Sequence, residues 1–319
     1  MRRLVVALAA FGVVAMACGK GGGTEASPSE SQPAPTSSST VSPSPSAPQT
    51  AADCAQRADL KSPGTLTIGT DNPAFQPWFG GEKDAGEGPW KADPNNGTGN
   101  PYTGEGFEGS VAYAVADQMG FPKDQVTWVA VPFNNSYKPG DKDFDFYIGQ
   151  VSYRTERANA VDFSESYYNV QQALVADKDS AIAHATTFAD LSDANLGAQI
   201  GTTSYQYIVD NIQPSKQPSV YDNSNDVIAA LNAGQIDGYL VDAPTAYVNV
   251  LIGETTNGTV VGQFPTLGDQ EYFGLVLGKD SSLTPCTDLA IEALRADGTL
   301  DSLQQQWLKD ITYPEITPS

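Results

Sequence analysis

Hydrophobic and polar positions change period in short blocks along the chain. Leu66-Thr67-Ile68-Gly69-Thr70 alternates as a strand does. Val111, Val115 and Met119 recur at helical spacing, and Gly120 is placed to cap that helix. Residues 126–131 and 144–148 read as further strands. Residues 196–200 form a short strand running into Gly201-Thr202-Thr203, and 225–233 a helix stopped by Gly234. Residues 236–241 form a strand that delivers Asp242, and helices near 287–295 and 300–308 close the chain. Strands alternating with helices predict an α/β protein with mainly parallel sheets. A chain of 319 residues is long enough for two lobes, each with its own core.

The ends of the chain differ in character. Met1-Arg2-Arg3 is basic, and residues 4–14 are an apolar run too short to span a bilayer. Ala15-Met16-Ala17-Cys18 resembles a bacterial lipobox. That resemblance implies a signal peptide at 1–17, cleavage before Cys18 and lipidation of its thiol. The protein would then be extracytoplasmic, lipid-anchored to the outer face of the cell membrane. Ordinary cleavage at small residues, with Cys18 incidental, is the plainer reading. Residues 19–50 are rich in Gly, Ser, Pro and Thr and lack aromatics, so they cannot bury enough apolar surface to offset ordering entropy. A tether is expected at 18–52, and ~35 flexible residues span roughly 30–35 Å.

Charge and cysteine usage narrow the classes. The chain carries 17 Lys+Arg against 38 Asp+Glu, a net charge of −21, which argues against nucleic acid as a partner. Loss of Arg2 and Arg3 leaves 15 − 38 = −23 in the mature chain. With Cys18 lipidated, Cys54 and Cys286 remain an even pair in an oxidising compartment, and a disulfide between them is expected. The alternative is two free thiols. The lone histidine, His184, makes a His-based metal site or a Ser-His-Asp triad improbable, and no cofactor is expected.

The stretch 143–168, DFDFYIGQVSYRTERANAVDFSESYY, holds most of the candidate chemistry. A strand ends in small and polar residues beside Arg157, the side chain suited to gripping a carboxylate with two parallel hydrogen bonds. The block resembles the S-x-T-x-E-R-x-x-x-x-F-S-x-x-Y-Y signature of polar amino acid solute-binding proteins of ABC importers. The resemblance extends over about 66–308. It implies a two-lobed, type II periplasmic-binding-protein fold, with two crossover strands and the ligand between the lobes. Crossings are expected near 168–171 and 268–272, giving lobe 1 at 53–169 plus 270–319 and lobe 2 at 170–269. Cys54 and Cys286 then share a lobe.

The resemblance also implies roles. Arg157 and Ser152 would hold the ligand carboxylate, joined from lobe 2 by Thr203 and Thr202 of the Gly-Thr-Thr turn. Asp242, at a strand's C-terminal end, would take the ammonium, and Gly149 would offer its carbonyl to it. Asp242 can also be read as a plain helix N-cap before Ala243-Pro244. Phe75 would pack on the ligand, with Trp78, Trp90 and Tyr102 as weaker candidates. Gln150 stands where the family more often has a small residue. Arg154 is either a surface cation or a reader of an acidic ligand side chain. Gly104 to Gly109 matches G-x-G-x-x-G but follows a turn-rich loop rather than a strand, which disfavours a dinucleotide. Asp141, Asp143 and Asp145 lack the Gly and Glu an EF-hand loop requires, and read as a solvated turn.

The expected function is capture of a zwitterionic amino acid by lobe closure, by a monomer that delivers it to membrane permease subunits. Two other classes compete. One is a cyclohexadienyl-type dehydratase, for which Glu165 and Glu271 are available as acids. The other is a ligand-sensing module read by a membrane receptor.

Overall fold

Burial separates central strands from edge strands and sets out two sheets. The computed structural model describes residues 50–81, 88–90, 98–309 and 312–318. The expected signal peptide, the Cys18 lipidation and the tether up to residue 49 lie outside the described residues. So do residues 82–87 and 91–97 of the polar insertion at 80–104. The described residues form one compact unit.

Strand β1 (Leu66–Thr70) is buried at every position and lies inside its sheet. A short ribbon follows, β2 (Ala74–Phe75) with β3 (Thr98–Gly99). Strands β4 (Val126–Ala130), β5 (Phe146–Tyr147) and β6 (Val161–Asn169) complete the first half of the chain. Then come β7 (Gln172–Asp177), β8 (Leu196–Gln199), β9 (Ser219–Tyr221), β10 (Gly238–Asp242), β11 (Gly258–Gln263) and β12 (Tyr272–Gly278). The first sheet runs β4-β1-β5-β12-β6 and the second β11-β7-β10-β8-β9. The chain passes from first to second through 170–171 and returns through 264–271.

The sheets are mixed rather than mainly parallel. β1 is parallel to β4 and β5, and β8 is parallel to β9 and β10. β12 is antiparallel to β5 and β6, and β7 to β10 and β11. The strands flanking the crossings travel outward and back side by side, so they meet antiparallel.

Each sheet carries its own helices. Helices α1 (Ala51–Ala55), α2 (Phe107–Gln118), α3 (Phe133–Ser136) and α4 (Thr155–Ala158) accompany the first sheet. Helices α5 (Thr203–Tyr207), α6 (Ser224–Asn232) and α7 (Ala243–Leu251) accompany the second, and α8 (Thr284–Ala296) and α9 (Thr299–Trp307) return to the first. Ile68, Phe107, Val115, Phe146, Phe273 and Ile291 belong to one buried cluster, and Leu174, Leu196, Ile208, Leu240 and Phe264 to another. Helix α1 starts at Ala51, two residues before the expected start of the folded region, because the Thr50 hydroxyl accepts from the Asp53 N–H and caps it. Cys54 of α1 is disulfide-bonded to Cys286 of α8, with their Cα atoms 5.3 Å apart.

Two expectations are corrected here. Asp145 is no solvated turn: it is buried, and its two oxygens accept from the Lys61 and Thr67 N–H groups, each at 2.7 Å. The tail at 312–318 lies on the second sheet, although everything after 270 was expected in lobe 1. Gln263 N–H donates to Pro314 O at 2.9 Å, Ile316 N–H donates to Gln263 O at 2.8 Å, and Ile316 is buried in the second core. The tail thereby satisfies backbone groups at the end of edge strand β11.

Candidate functional site

The first lobe supplies a guanidinium. After β5 the chain turns through Gly149 and Gln150, the latter at φ 51°, in the left-handed region. Glu108, fully buried at the start of α2, fixes that turn. Its carboxylate accepts from the Gln150 N–H at 2.7 Å, the Gln150 side-chain amide and the Tyr167 hydroxyl. Burial pushes the Glu108 carboxyl up to about 7 against these hydrogen bonds. Helix α4 then sets Arg157 in its last turn, 7% exposed. Its Nη1 donates to Ser152 O and its Nη2 to Gly201 O, both at 2.7 Å. The guanidinium lies 4.4 Å from the Tyr137 ring centre. Ser152 is of the first lobe and Gly201 of the second, so Arg157 bridges them.

The second lobe supplies a carboxylate. Asp242 ends β10 at the N-cap position of α7, yet its side chain makes no capping bond. Its Oδ1 accepts from Gln172 Nε2 at 2.9 Å. Burial pushes its carboxyl well above the usual range, reinforced by Glu271 and opposed by Gln172. Gln172 opens β7, just past the first crossing, and Glu271 closes the second. Gln172 accepts from the Ser204 hydroxyl at 2.6 Å and also reaches Glu271 at 3.3 Å. Glu271 accepts from the Ser152 hydroxyl at 2.6 Å. A polar chain thus runs from Ser152 through Glu271 and Gln172 to Asp242.

One cavity between the lobes collects most of the expected residues. Gly149, Ser152, Arg157, Thr202, Thr203, Asp242 and Phe75 all line it, together with Asp71, Gln150 and Ser204. Its free volume is about 100 Å³. One water needs about 10–15 Å³ on that scale, so the cavity has room for an amino-acid-sized solute. Thr202 is turned to local work: its hydroxyl donates to Gln199 O at 2.7 Å and accepts from the Tyr205 N–H at 3.2 Å, capping α5. The Thr203 hydroxyl lies 3.4 Å from that of Ser152, across the gap. Gly201, at φ 78°, lets Asn134 and Tyr137 close in; an added Cβ would sit 2.6 Å from Asn134 Oδ1.

The remaining candidates fall elsewhere. Trp78 is buried outside the cavity lining and donates from Nε1 to Thr245 Oγ1 at 2.7 Å, a further bond between the lobes. Trp90 donates to Asp71 O at 2.8 Å and meets Tyr102 edge-on. Arg154 lines a separate open groove with Tyr153, Tyr207 and Tyr272, not the cavity, and lies 3.6 Å from Glu156. Sequence reasoning missed Gln172 and Ser204, weighed Glu271 only as a catalytic acid, and saw in Glu108 only a partial motif match. Glu108 follows Gly106-Phe107, the one signal that could have marked it.

Known proteins share this architecture. A sequence profile of the bacterial extracellular solute-binding proteins, family 3, matches residues 91–310. The ABC transporter arginine-binding protein 1 of Escherichia coli is 31% identical over 209 residues, covering 63% of this chain and 81% of that protein. The glutamine-binding protein GlnH of Bacillus subtilis is 26% identical over 221 residues, 66% of this chain and 76% of that one. Among solved structures, an ancestral arginine-binding protein bound to arginine aligns with a TM-score of 0.59 at 26% identity, covering 76% of this chain and 98% of that one. The two lobes, their paired crossings and the profile match lead to one conclusion: the chain belongs to the bacterial extracellular solute-binding proteins, family 3.

Proposed function

We propose that this protein is the amino-acid-binding component of an ABC importer. The observation that carries this reading is a cavity whose lining brings the buried guanidinium of Arg157 from one lobe to the partly buried carboxylate of Asp242 from the other. Buried charges are costly unless paired, so such a cavity rewards a zwitterion and rejects compounds lacking either charge. Arg157 commits two N–H groups to carbonyls, and a guanidinium has five, so it retains donors for the ligand carboxylate. Ser152 and Thr203 flank it from the two lobes. Asp242 takes the ammonium, with Glu271 and Gln172 setting its position and Phe75 packing on the ligand. Contacts made with both lobes favour the closed state, which is how a ligand shifts that equilibrium.

The first lobe is taken as 51–169 with 272 to about 309, and the second as 170–271 with the tail. The finer features belong to the same reading: Cys18 lipidated, a flexible tether, a monomer docking on permease subunits. Binding rather than turnover is favoured because Glu271 is hydrogen-bonded to Ser152 and Gln172, and the relatives matched are named as binding proteins.

A thermal-shift screen of the protein against the common amino acids tests this. A ligand at 100 times its Kd adds about 2.7 kcal/mol of stability. A shift with one chemical subset, abolished in Arg157→Ala, is the expected outcome. No shift with any amino acid, or turnover of prephenate or arogenate, overturns the reading.

A further inference from the structure

The charges lining the cavity do not balance for a neutral amino acid. Among the described residues that line it, Arg157 is the one cationic side chain, and Asp71, Asp242 and Glu254 are the carboxylates. A zwitterion in the proposed pose satisfies Arg157 and Asp242 and leaves two acids over. Asp71 is served on both oxygens by backbone, since Asn72 N–H donates to Oδ1 at 2.8 Å and Phe133 N–H to Oδ2 at 3.2 Å. Glu254 has less. With the Asn249 amide turned so that both its atoms are satisfied, Asn249 donates to Glu254 Oε2 at 3.3 Å and accepts from the Tyr239 hydroxyl at 3.0 Å. Among the described residues no Lys, Arg or His forms an ion pair with Glu254. Burial pushes its carboxyl up to about 7.

Position adds a length requirement. Asp242 precedes α7 and Glu254 follows it, while Thr245 and Asn249, four apart, face the cavity from between. Nine helical residues rise about 13 Å. A ligand whose ammonium is held at Asp242 therefore needs a long side chain to approach Glu254. The lining between the two acids offers hydroxyl and amide groups.

Resting on the importer reading above, we propose that the bound amino acid carries a long, cationic side chain, and that Glu254 of the second lobe receives its charge. Glu254 is then the residue that selects against neutral side chains of the same shape, because without a cation it stays half-buried with only the Asn249 amide to serve it.

The test is calorimetric titration of the full-length protein with L-arginine, its neutral near-isostere L-citrulline, L-lysine and L-glutamine. Arginine is expected to bind at least about tenfold more tightly than citrulline, the scale of a desolvated charge pair. In Glu254→Gln that ratio is expected to collapse, whereas in Asp71→Asn it is expected to persist. The ratio of two ligands on one variant is insensitive to a general loss of folding. Equal binding of arginine and citrulline overturns the proposal. So does a ratio that survives Glu254→Gln and disappears in Asp71→Asn. Binding of a neutral amino acid with no response to arginine or lysine removes this inference and leaves the importer reading standing. Binding of no amino acid removes both.

Discussion

The two charged ends of the cavity are buried by different means. Arg157 is hydrogen-bonded within the protein: carbonyls from both lobes accept from its N–H groups, and the Tyr137 ring covers its face. Asp242 has one amide donor and lies in the field of Glu271. The guanidinium end therefore already holds the lobes together without ligand. The carboxylate end stores an unmet need that a ligand ammonium can satisfy. Both groups contact ligand in the same reading, yet removing them should act on the empty protein in opposite directions.

Arg157→Ala is the largest expected effect. It removes two charge-assisted bonds, each worth about 1.5–3 kcal/mol. Ligand affinity should fall by roughly 100-fold or more, and the Tm of the empty protein should fall with it. A variant that loses affinity but keeps its Tm would show that the Gly201 bridge contributes nothing to closure. Asp242→Asn comes next. Affinity should drop by about tenfold or more, while the empty protein should be as stable as before or more so, because an inadequately paired buried acid is gone. Parallel Tm losses in the two variants would erase the contrast between the ends.

Trp78→Phe probes closure away from both charges. It deletes the Nε1–Thr245 bond, worth about 0.5–1.5 kcal/mol net. Ligand affinity should weaken by about two- to tenfold, with the amino-acid preference unchanged. A changed preference would place Trp78 at the ligand rather than between the lobes.

The smallest effect concerns pH. Glu108 has an ordinary value of 4.5 and is raised to about 7 when folded. The native state binds its proton more tightly than the unfolded chain does. Its contribution to stability is thus full below about 4.5 and lost as pH rises through about 7. Tm of the empty protein should decline across that window, less steeply in Glu108→Gln. Identical slopes would mean that Glu108 does not titrate there.

Local residue pattern carried a good deal of this. The Gly-Thr-Thr turn, the TERA helix and Asp242 at a strand's end could each be read where they stand, because the needed signal lies within a few residues. Gln172 and Glu271 could not: they meet Ser152 and Asp242 only because two crossings bring residues about 100 apart to one wall. Arg154 stayed open between two readings for the opposite reason, and the fold decides for the surface cation beside Glu156. It is three residues from Arg157, but it stands at the N-cap, just outside the helix that holds Arg157, and it opens onto the groove.

The sequence alone determined the local elements and the charged side chains at strand ends, since these follow from spacing and side-chain chemistry. The tertiary structure decided the rest: the antiparallel return of the crossing strands, the tail seated on the second sheet, and the acids left unmatched in the cavity. Those depend on which distant backbone and carboxyl groups share one low-dielectric space, and no local pattern encodes that.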